Sequence, residues 1–445
     1  MLRRQLYLSI LLISAAAVTP ASLTAGDLTF GGLTADAIKI DPAATTGLRA
    51  IFVLPHTQGV TATYTPSNPG ATVSWQKFSA LGGGYAEPVE SRDGAIRLTP
   101  GDMGYIVTEG TEMACYWIVD YSGHPCEISG IALSSESDCS SAILEIAGTG
   151  ADAIKYYTIN GVPQTLSREF ELTYRTLEFD EDAFSYTEIT KTDILDQIGQ
   201  TVITDAPLCA TDFCLTGDRF LRQWNEEISV TSDTMEPIAV QASTRATQTT
   251  REVDNEQKVE TNLGGSAPCE IRFESVVTDA AIYRQWEIAR DSEFNIVTLQ
   301  YNEPDFTYTF REQGTSYVRL VCANASGECE TYSETYEVFI GESDLKCPNA
   351  FSPGGSPGVN DEWRVSYKSI ISFECHIFNR WGQQLAHLTD PSQGWDGKSN
   401  GKIVPAGVYF YVISAKGADG RKYKLKGDIN VVRQGRDINS SSSEQ

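Results

Sequence analysis

The sequence predicts an almost entirely β chain of tandem sandwich domains, and three observations carry that prediction. The chain has 20 Tyr, 17 Phe and 7 Trp against only 4 Met, and aromatic and β-branched side chains suit pleated, half-buried surfaces. Its 37 Gly supply turn residues. Short apolar runs recur at roughly 8 to 12 residues, the spacing of strands joined by hairpins.

The first residues set the compartment. Arg3 and Arg4 precede an apolar run from Leu6 to Val18, and small residues follow around Ala21 and Ala25. A run of about a dozen residues is too short to cross a bilayer core of about 30 Å, so residues 1–25 read as a secretory signal peptide. No Cys lies near that cleavage region and no later segment is apolar enough to span a membrane. The remaining length of roughly 420 residues suits three or four domains.

From 26 to 129 the runs "RAIFVLP", "VTATYTP", "ATVSWQKF", "GYIVTEG" and "CYWIVDY" read as strands of an immunoglobulin-like sandwich, with Trp75 and Tyr105 as its buried anchors. A second β-domain is expected over 130–238, where "REFELTYRTLEF" alternates Phe170, Leu172 and Tyr174 with polar neighbours. "DILDQIGQTVI" reads as a short helix or a strand pair. Residues 239–262 contain no aromatic and few large apolar side chains, and such a stretch reads as a polar linker. A third sandwich is expected over 263–342, a fourth over 343–433, and a polar tail over 434–445.

Charge divides the chain unevenly. The total of 34 basic and 59 acidic residues gives −25, yet from Ser343 onward there are 13 basic and 10 acidic, leaving 21 against 49 before it. An acidic body disfavours nucleic acid and anionic membranes as partners.

An even count of ten cysteines in an exported chain reads first as disulfides. The expected local pairs are Cys115–Cys126, Cys209–Cys214, Cys322–Cys329 and Cys347–Cys375. Cys139 and Cys269 are left over, so the pairing stays partly open. No C-x-x-C occurs, and His56, His124, His376 and His387 form no ligand pattern with the cysteines, so neither a metal nor a cofactor is expected.

Four short motifs have bland readings. "GGSPG" at Gly354–Gly358 lacks the strand and helix that a nucleophile elbow at Ser356 needs. "GTGADA" at Gly148–Ala153 runs into β-like sequence, so no helix N-terminus is available for a phosphate. Glu178, Asp180, Glu181 and Asp182 lack EF-hand spacing and read as a solvated acidic turn. "DTM" at Asp233–Met235 is too short to establish an O-glycan site. No acid/base pair, Ser–His–Asp set or Cys–His pair emerges, and the chain reads as a non-enzyme.

Two resemblances add to this reading. With Trp286, "YTFREQGTSYVRLVCAN" and the closing "YEVFI", residues 263–341 resemble a PKD-type repeat, although the usual Trp-x-Phe-Gly-Asp-Gly segment is replaced by Trp286-Glu287-Ile288-Ala289-Arg290. The ordered motifs "PNAFSPGGSPGVNDEW", "FNRWG", "GWDGK", "PAGVYFYV" and "GDINVVR" resemble the gliding-motility-associated C-terminal domain, the type B sorting domain of the type IX secretion system. Positions matching its motifs are Asn349, Phe351, Asn360 and Asp361; Asn379, Arg380, Trp381 and Gly382; Trp395, Asp396, Gly397 and Lys398; and Gly407, Tyr409 and Tyr411. The first loop departs from the family's Pro-Asn-Gly-Asp-Gly, and two oxygen donors for any cation are absent there.

The resemblance implies export through the type IX translocon and retention by an outer-membrane β-barrel partner, on the extracellular face of the outer membrane or as a secreted chain. Trp381 and Trp395 are expected as core anchors, with Arg380 and Lys398 facing the machinery. Val408, Phe410 and Val412 on one face of a strand, and Tyr409, Tyr411 and Ile413 on the other, predict a central strand covered on both sides. The body then serves adhesion or surface assembly toward an unknown surface ligand. An accessory component of the secretion or gliding apparatus and a secreted hydrolase are the alternatives.

Overall fold

The computed structural model describes residues 26–68, 70–150, 152–354 and 360–432. The expected signal peptide, the polar tail and Ser356 of "GGSPG" lie outside the described residues. Among those described, 36 strands are accompanied by one α-helix, Arg219–Gln223.

The first sandwich sets a three-stranded sheet (Leu28–Gly31, Thr61–Tyr64, Ala95–Arg97) on a six-stranded one. In the larger sheet Ala50–Leu54 runs parallel to Glu112–Asp120 and is buried along its whole length. One face, with Phe52, Leu54, Tyr116 and Ile118, closes the sandwich around Trp75 and Tyr105. Both anchors are buried, as expected, and each polar tip is satisfied. Trp75 Nε1 donates to the Gly94 carbonyl at 3.2 Å, and the Tyr105 hydroxyl accepts from the Thr99 amide at 2.9 Å.

The other face of that sheet, with Ile51, Val53, Phe78, Trp117 and Val119, shares one continuous core with the second domain. Trp117 sits 5.4 Å from the ring of Tyr157 across this seam. A strand apolar on both faces needs cover on both, and here two sandwiches supply it.

The second domain pairs Glu127–Leu133, Ser141–Thr149 and Thr201–Asp205 in one sheet, and Ser185–Leu195, Phe170–Asp180, Cys214–Gly217 and Ile228–Thr231 in another. "DILDQIGQTVI" is the end of one strand and the start of the next. The acidic run closes the hairpin at Asp180, whose Oδ1 accepts from the amides of Asp182 and Ala183 at 2.9 and 3.0 Å. "GTGADA" leads from the strand ending at Thr149 into the strand Ile154–Tyr157, with no helix following.

The expected linker over 239–262 is corrected. Ala242–Gln248 is a strand, paired in register with Cys269–Val277 through all seven residues. Its small Ala242 and Ala246 pack against the third core, so little apolar area is needed for it to be ordered. Beyond it the polar side chains bind the last domain. Asn255 Nδ2 donates to the carbonyls of Val365 and Pro391 at 2.7 and 2.8 Å, and the Gln257 amide donates to Tyr367 O at 2.7 Å. Composition that reads as disorder is here used for backbone hydrogen bonding.

The third sandwich closes around Phe273, Trp286, Phe306 and Phe310, with Trp286 fully buried and its Nε1 donating to Pro304 O at 3.0 Å.

The cysteine pairing is also corrected. The disulfide is Cys139–Cys329, joining loops of the second and third sandwiches that lie 190 residues apart in sequence. Cys115, Cys126, Cys209, Cys214, Cys269, Cys322, Cys347 and Cys375 are free thiols. Cys322 therefore cannot take Cys329, and it points into the third core instead. Cys115 and Cys126 are buried in the seam of the first two domains, and Cys214 faces Ser229 Oγ at 3.1 Å across its ladder. Cys347 and Cys375 lie close together in the last domain, where burial pushes the Cys375 thiol up to about 12, with Cys347 adding to it. Nearness in sequence misled here because strand side chains are aimed by the sheet, whereas loops meet wherever domains dock.

Candidate functional site

The last domain centres on a five-stranded sheet in the order Ala350–Phe351, Lys422–Val431, Gly407–Gly417, Ile370–Phe378 and Gln384–Leu388. Its first pair is parallel and the rest antiparallel. Alternation sends Phe373, Cys375 and Ile377, with Tyr409, Ile413 and Ala415, to the inner face. Trp363, Val365, Tyr367 and Trp395 cover that face from a second layer.

The resemblance-derived positions fall into three groups. The first is structural. Phe351 packs on Trp395 at 5.4 Å between ring centres, and Trp395 Nε1 donates to the Lys398 carbonyl at 3.1 Å. Tyr409 donates its hydroxyl proton to Pro405 O at 2.9 Å, and the Tyr411 ring packs tilted against Trp363 at 5.1 Å between centres. Burial pushes the Tyr411 phenol up to about 12, helped by the neighbouring Cys347.

The second group shapes turns. Asn379 Oδ1 accepts from the amides of Trp381 and Gln383, both at 3.0 Å, and Gly382 closes the turn at φ +80°. Gly397 has φ +70°, and a Cβ there would lie 2.9 Å from Pro353. Asp396 Oδ1 accepts the Lys398 amide at 3.0 Å, and its Oδ2 meets Lys398 Nζ at 2.7 Å, which holds the carboxyl below its usual range. Asn360 lies at φ +54° and its carbonyl accepts the Ser352 amide. Asp361 neighbours it, the Asn349 carbonyl receives Asn430, and Gly407 is open to solvent.

The third group faces outward. Arg380 lies over the Trp381 ring at 4.3 Å, and Trp381 is 75% exposed. Its expectation as a core anchor is corrected: the Asn379 turn carries it past the end of the sheet. The expectation for the Val408 strand is corrected too. The strand is central in the sheet, but Val408, Phe410 and Val412 are 48%, 43% and 49% exposed, because the second layer covers only the Tyr409–Tyr411–Ile413 side. The result is an uncovered apolar stripe, with Phe378 opposite Phe410 on one neighbour and Asp428 and Lys426 on the other.

A further cluster escaped sequence reasoning. His376 and His387 face each other across the strand pair, their rings parallel within 5° and 4.4 Å apart, with Glu374 beside both. Uniform pairing from the Asn379 turn would place Ala386 opposite His376. A bulge between Ile377 and Phe378 shifts the register by one and brings in His387. No feature of the sequence marks that bulge.

An open groove of about 770 Å³ runs along residues 248–269, crossed by an Arg251–Glu256 ion pair at 2.8 Å. Among the described residues no helix is long and apolar enough to cross a membrane.

Residues 345–431 match the CHU_C Type IX secretion signal domain, and residues 132–232 match a fibronectin type III domain. Both are non-catalytic kinds of domain. Neither match reaches residues 263–342. No curated protein matches the chain. Among solved structures, a tetra-tandem repeat in the extending region of a large adhesion protein is 13% identical over 84% of this chain and 95% of its own, with a TM-score of 0.18. The fibronectin(III)-like modules of Clostridium thermocellum CbhA are 11% identical over 45% and 99%, with a TM-score of 0.17. A Ca2+-stabilized adhesin that helps an Antarctic bacterium reach out and bind ice is 10% identical over 93% of this chain and 100% of its own, with a TM-score of 0.18. Scores of this size support no functional argument. The chain is thus a run of β-sandwiches that carries a fibronectin type III domain and, C-terminal to it, a type IX secretion signal domain.

Proposed function

We propose that this chain is a non-catalytic cell-surface protein. Its signal peptide carries it across the inner membrane and its last domain directs it through the type IX translocon. An outer-membrane β-barrel then holds it on the extracellular face, and the preceding sandwiches act in adhesion or surface assembly toward a ligand yet to be identified. The observation that carries the reading is the match of residues 345–431 to a type IX secretion signal domain.

We place the surface read by the machinery on the outward face of that domain. Trp381 with Arg380 at the hairpin tip, and the Val408–Phe410–Val412 stripe, are exposed groups on a folded surface that no other described residue covers. The occupant proposed is a component of the type IX machinery, because the domain that bears the stripe is the one matched as the signal. The test is export of Phe410→Ser and Trp381→Ala chains in a host with an active type IX system. Retention of folded protein in the periplasm supports the reading, and surface levels equal to the unaltered chain contradict it.

A further inference from the structure

Glu374, His376 and His387 converge on one small volume of the signal domain's outward face. Glu374 and His376 are two residues apart on one strand and so share a face, while His387 is the cross-strand partner of His376. Glu374 Oε1 lies 3.3 Å from His376 Nε2 and 3.2 Å from His387 Nε2, and all the donor atoms fall within 4.8 Å of one another. Zinc bonds of about 2.0–2.2 Å to nitrogen and oxygen place tetrahedral ligands roughly 3.4 Å apart. The two Glu–His separations have that size.

Such distances also suit hydrogen bonds, which a bound cation would replace. His376 Nδ1 lies 3.1 Å from Gln384 Oε1. That oxygen carries no proton, so Nδ1 is the donor, and Nε2 is the ring atom turned toward Glu374 Oε1. A cation set among Nε2, the carboxylate and His387 would be held by all three. A hydrogen bond that fixes the distal nitrogen is also how metal-ligating histidines are oriented. Two imidazoles with one carboxylate suit zinc and its borderline neighbours rather than calcium or magnesium.

We propose that Glu374, His376 and His387 form a surface site for a divalent cation of the zinc class, with Gln384 as the positioning residue. Three protein ligands leave a fourth position open toward solvent. A cation there ties the edge strand Gln384–Leu388 to its neighbour. The site does not depend on the export reading.

The test is titration of the purified full chain with Zn2+ by calorimetry, paralleled by Co2+ absorption. The expected result is one equivalent bound, and a Co2+ spectrum without the charge-transfer band of thiolate ligands. His376→Gln and His387→Gln should each abolish that equivalent, and Gln384→Leu should weaken it about tenfold. No binding up to millimolar metal, binding unchanged in both histidine variants, or a thiolate band assigning the ion to the free cysteines would each overturn the proposal.

Discussion

Trp363 and Trp395 exchange both backbone hydrogen bonds, at 2.9 and 3.0 Å, and both indoles are buried beneath the signal domain's sheet. The isolated pair ties two loops into the layer that fills the inner face. Trp395→Ala should therefore remove about 3–5 kcal/mol from this domain. Trp381→Ala should change stability by no more than about 0.5 kcal/mol, because that ring is in solvent. Hydrogen exchange across residues 360–432 of the full chain separates the two, and equal losses of protection would contradict the layering.

The two adjoining tryptophan motifs also mark what sequence can and cannot tell. Trp395 beside an Asp-Gly turn was legible as a core anchor, as were Trp75, Tyr105 and Trp286. Trp381 was not, because an identical residue type at a hairpin tip is aimed by the turn rather than by hydrophobicity. Val408, Phe410 and Val412 read as covered because sequence shows which side chains share a face, and not whether a second layer lies over it. His376 and His387 meet through a bulge, and Cys139 meets Cys329 through docking of two domains; neither is a local property.

The buried Arg168–Asp218 pair of the second domain, Nε to Oδ2 at 2.6 Å, accepts a hydrogen bond at Asp218 Oδ2 from the Tyr121 hydroxyl of the first at 3.1 Å. The Arg168 guanidinium also donates to Tyr121 Oη and the His124 carbonyl, each at 3.0 Å. Removing one partner leaves the other charge buried and unpaired. Arg168→Ala should cost about 3–5 kcal/mol, and the loss should show in melting of the seam around Trp117 as well as of the second domain. Loss confined to the second domain would contradict a shared core.

The disulfide is checked by peptide mapping without reduction. One cross-linked peptide pair holding Cys139 and Cys329 is expected, with the six buried thiols of Cys115, Cys126, Cys209, Cys269, Cys322 and Cys375 alkylated only after denaturation. A Cys347–Cys375 or Cys115–Cys126 link would contradict it.

Acid should loosen the junction of the last two domains. Ser343 Oγ lies 2.8 Å from both oxygens of Asp419 and 2.7 Å from Tyr423 Oη. Burial is the largest influence on the Asp419 carboxyl and pushes it up, but hydrogen bonds from the Arg421 amide and Ser343 outweigh it and leave it below the ordinary range. A carboxyl depressed in the folded state stabilises it fully above the unfolded value of about 3.9, and that contribution is lost as pH falls through the folded value. Protection factors at Ser343 and Ala418 should fall as pH drops below about 4, and Asp419→Asn should remove that dependence.

The most direct measurement is surface exposure, by protease shaving and antibody labelling of intact cells with an active type IX system. The full chain is compared with a chain ending at Ser343. If the domain matched at residues 345–431 is the export address, only the full chain is cleaved and labelled at the surface. Equal exposure of both chains would contradict that address and leave the last domain as one more sandwich.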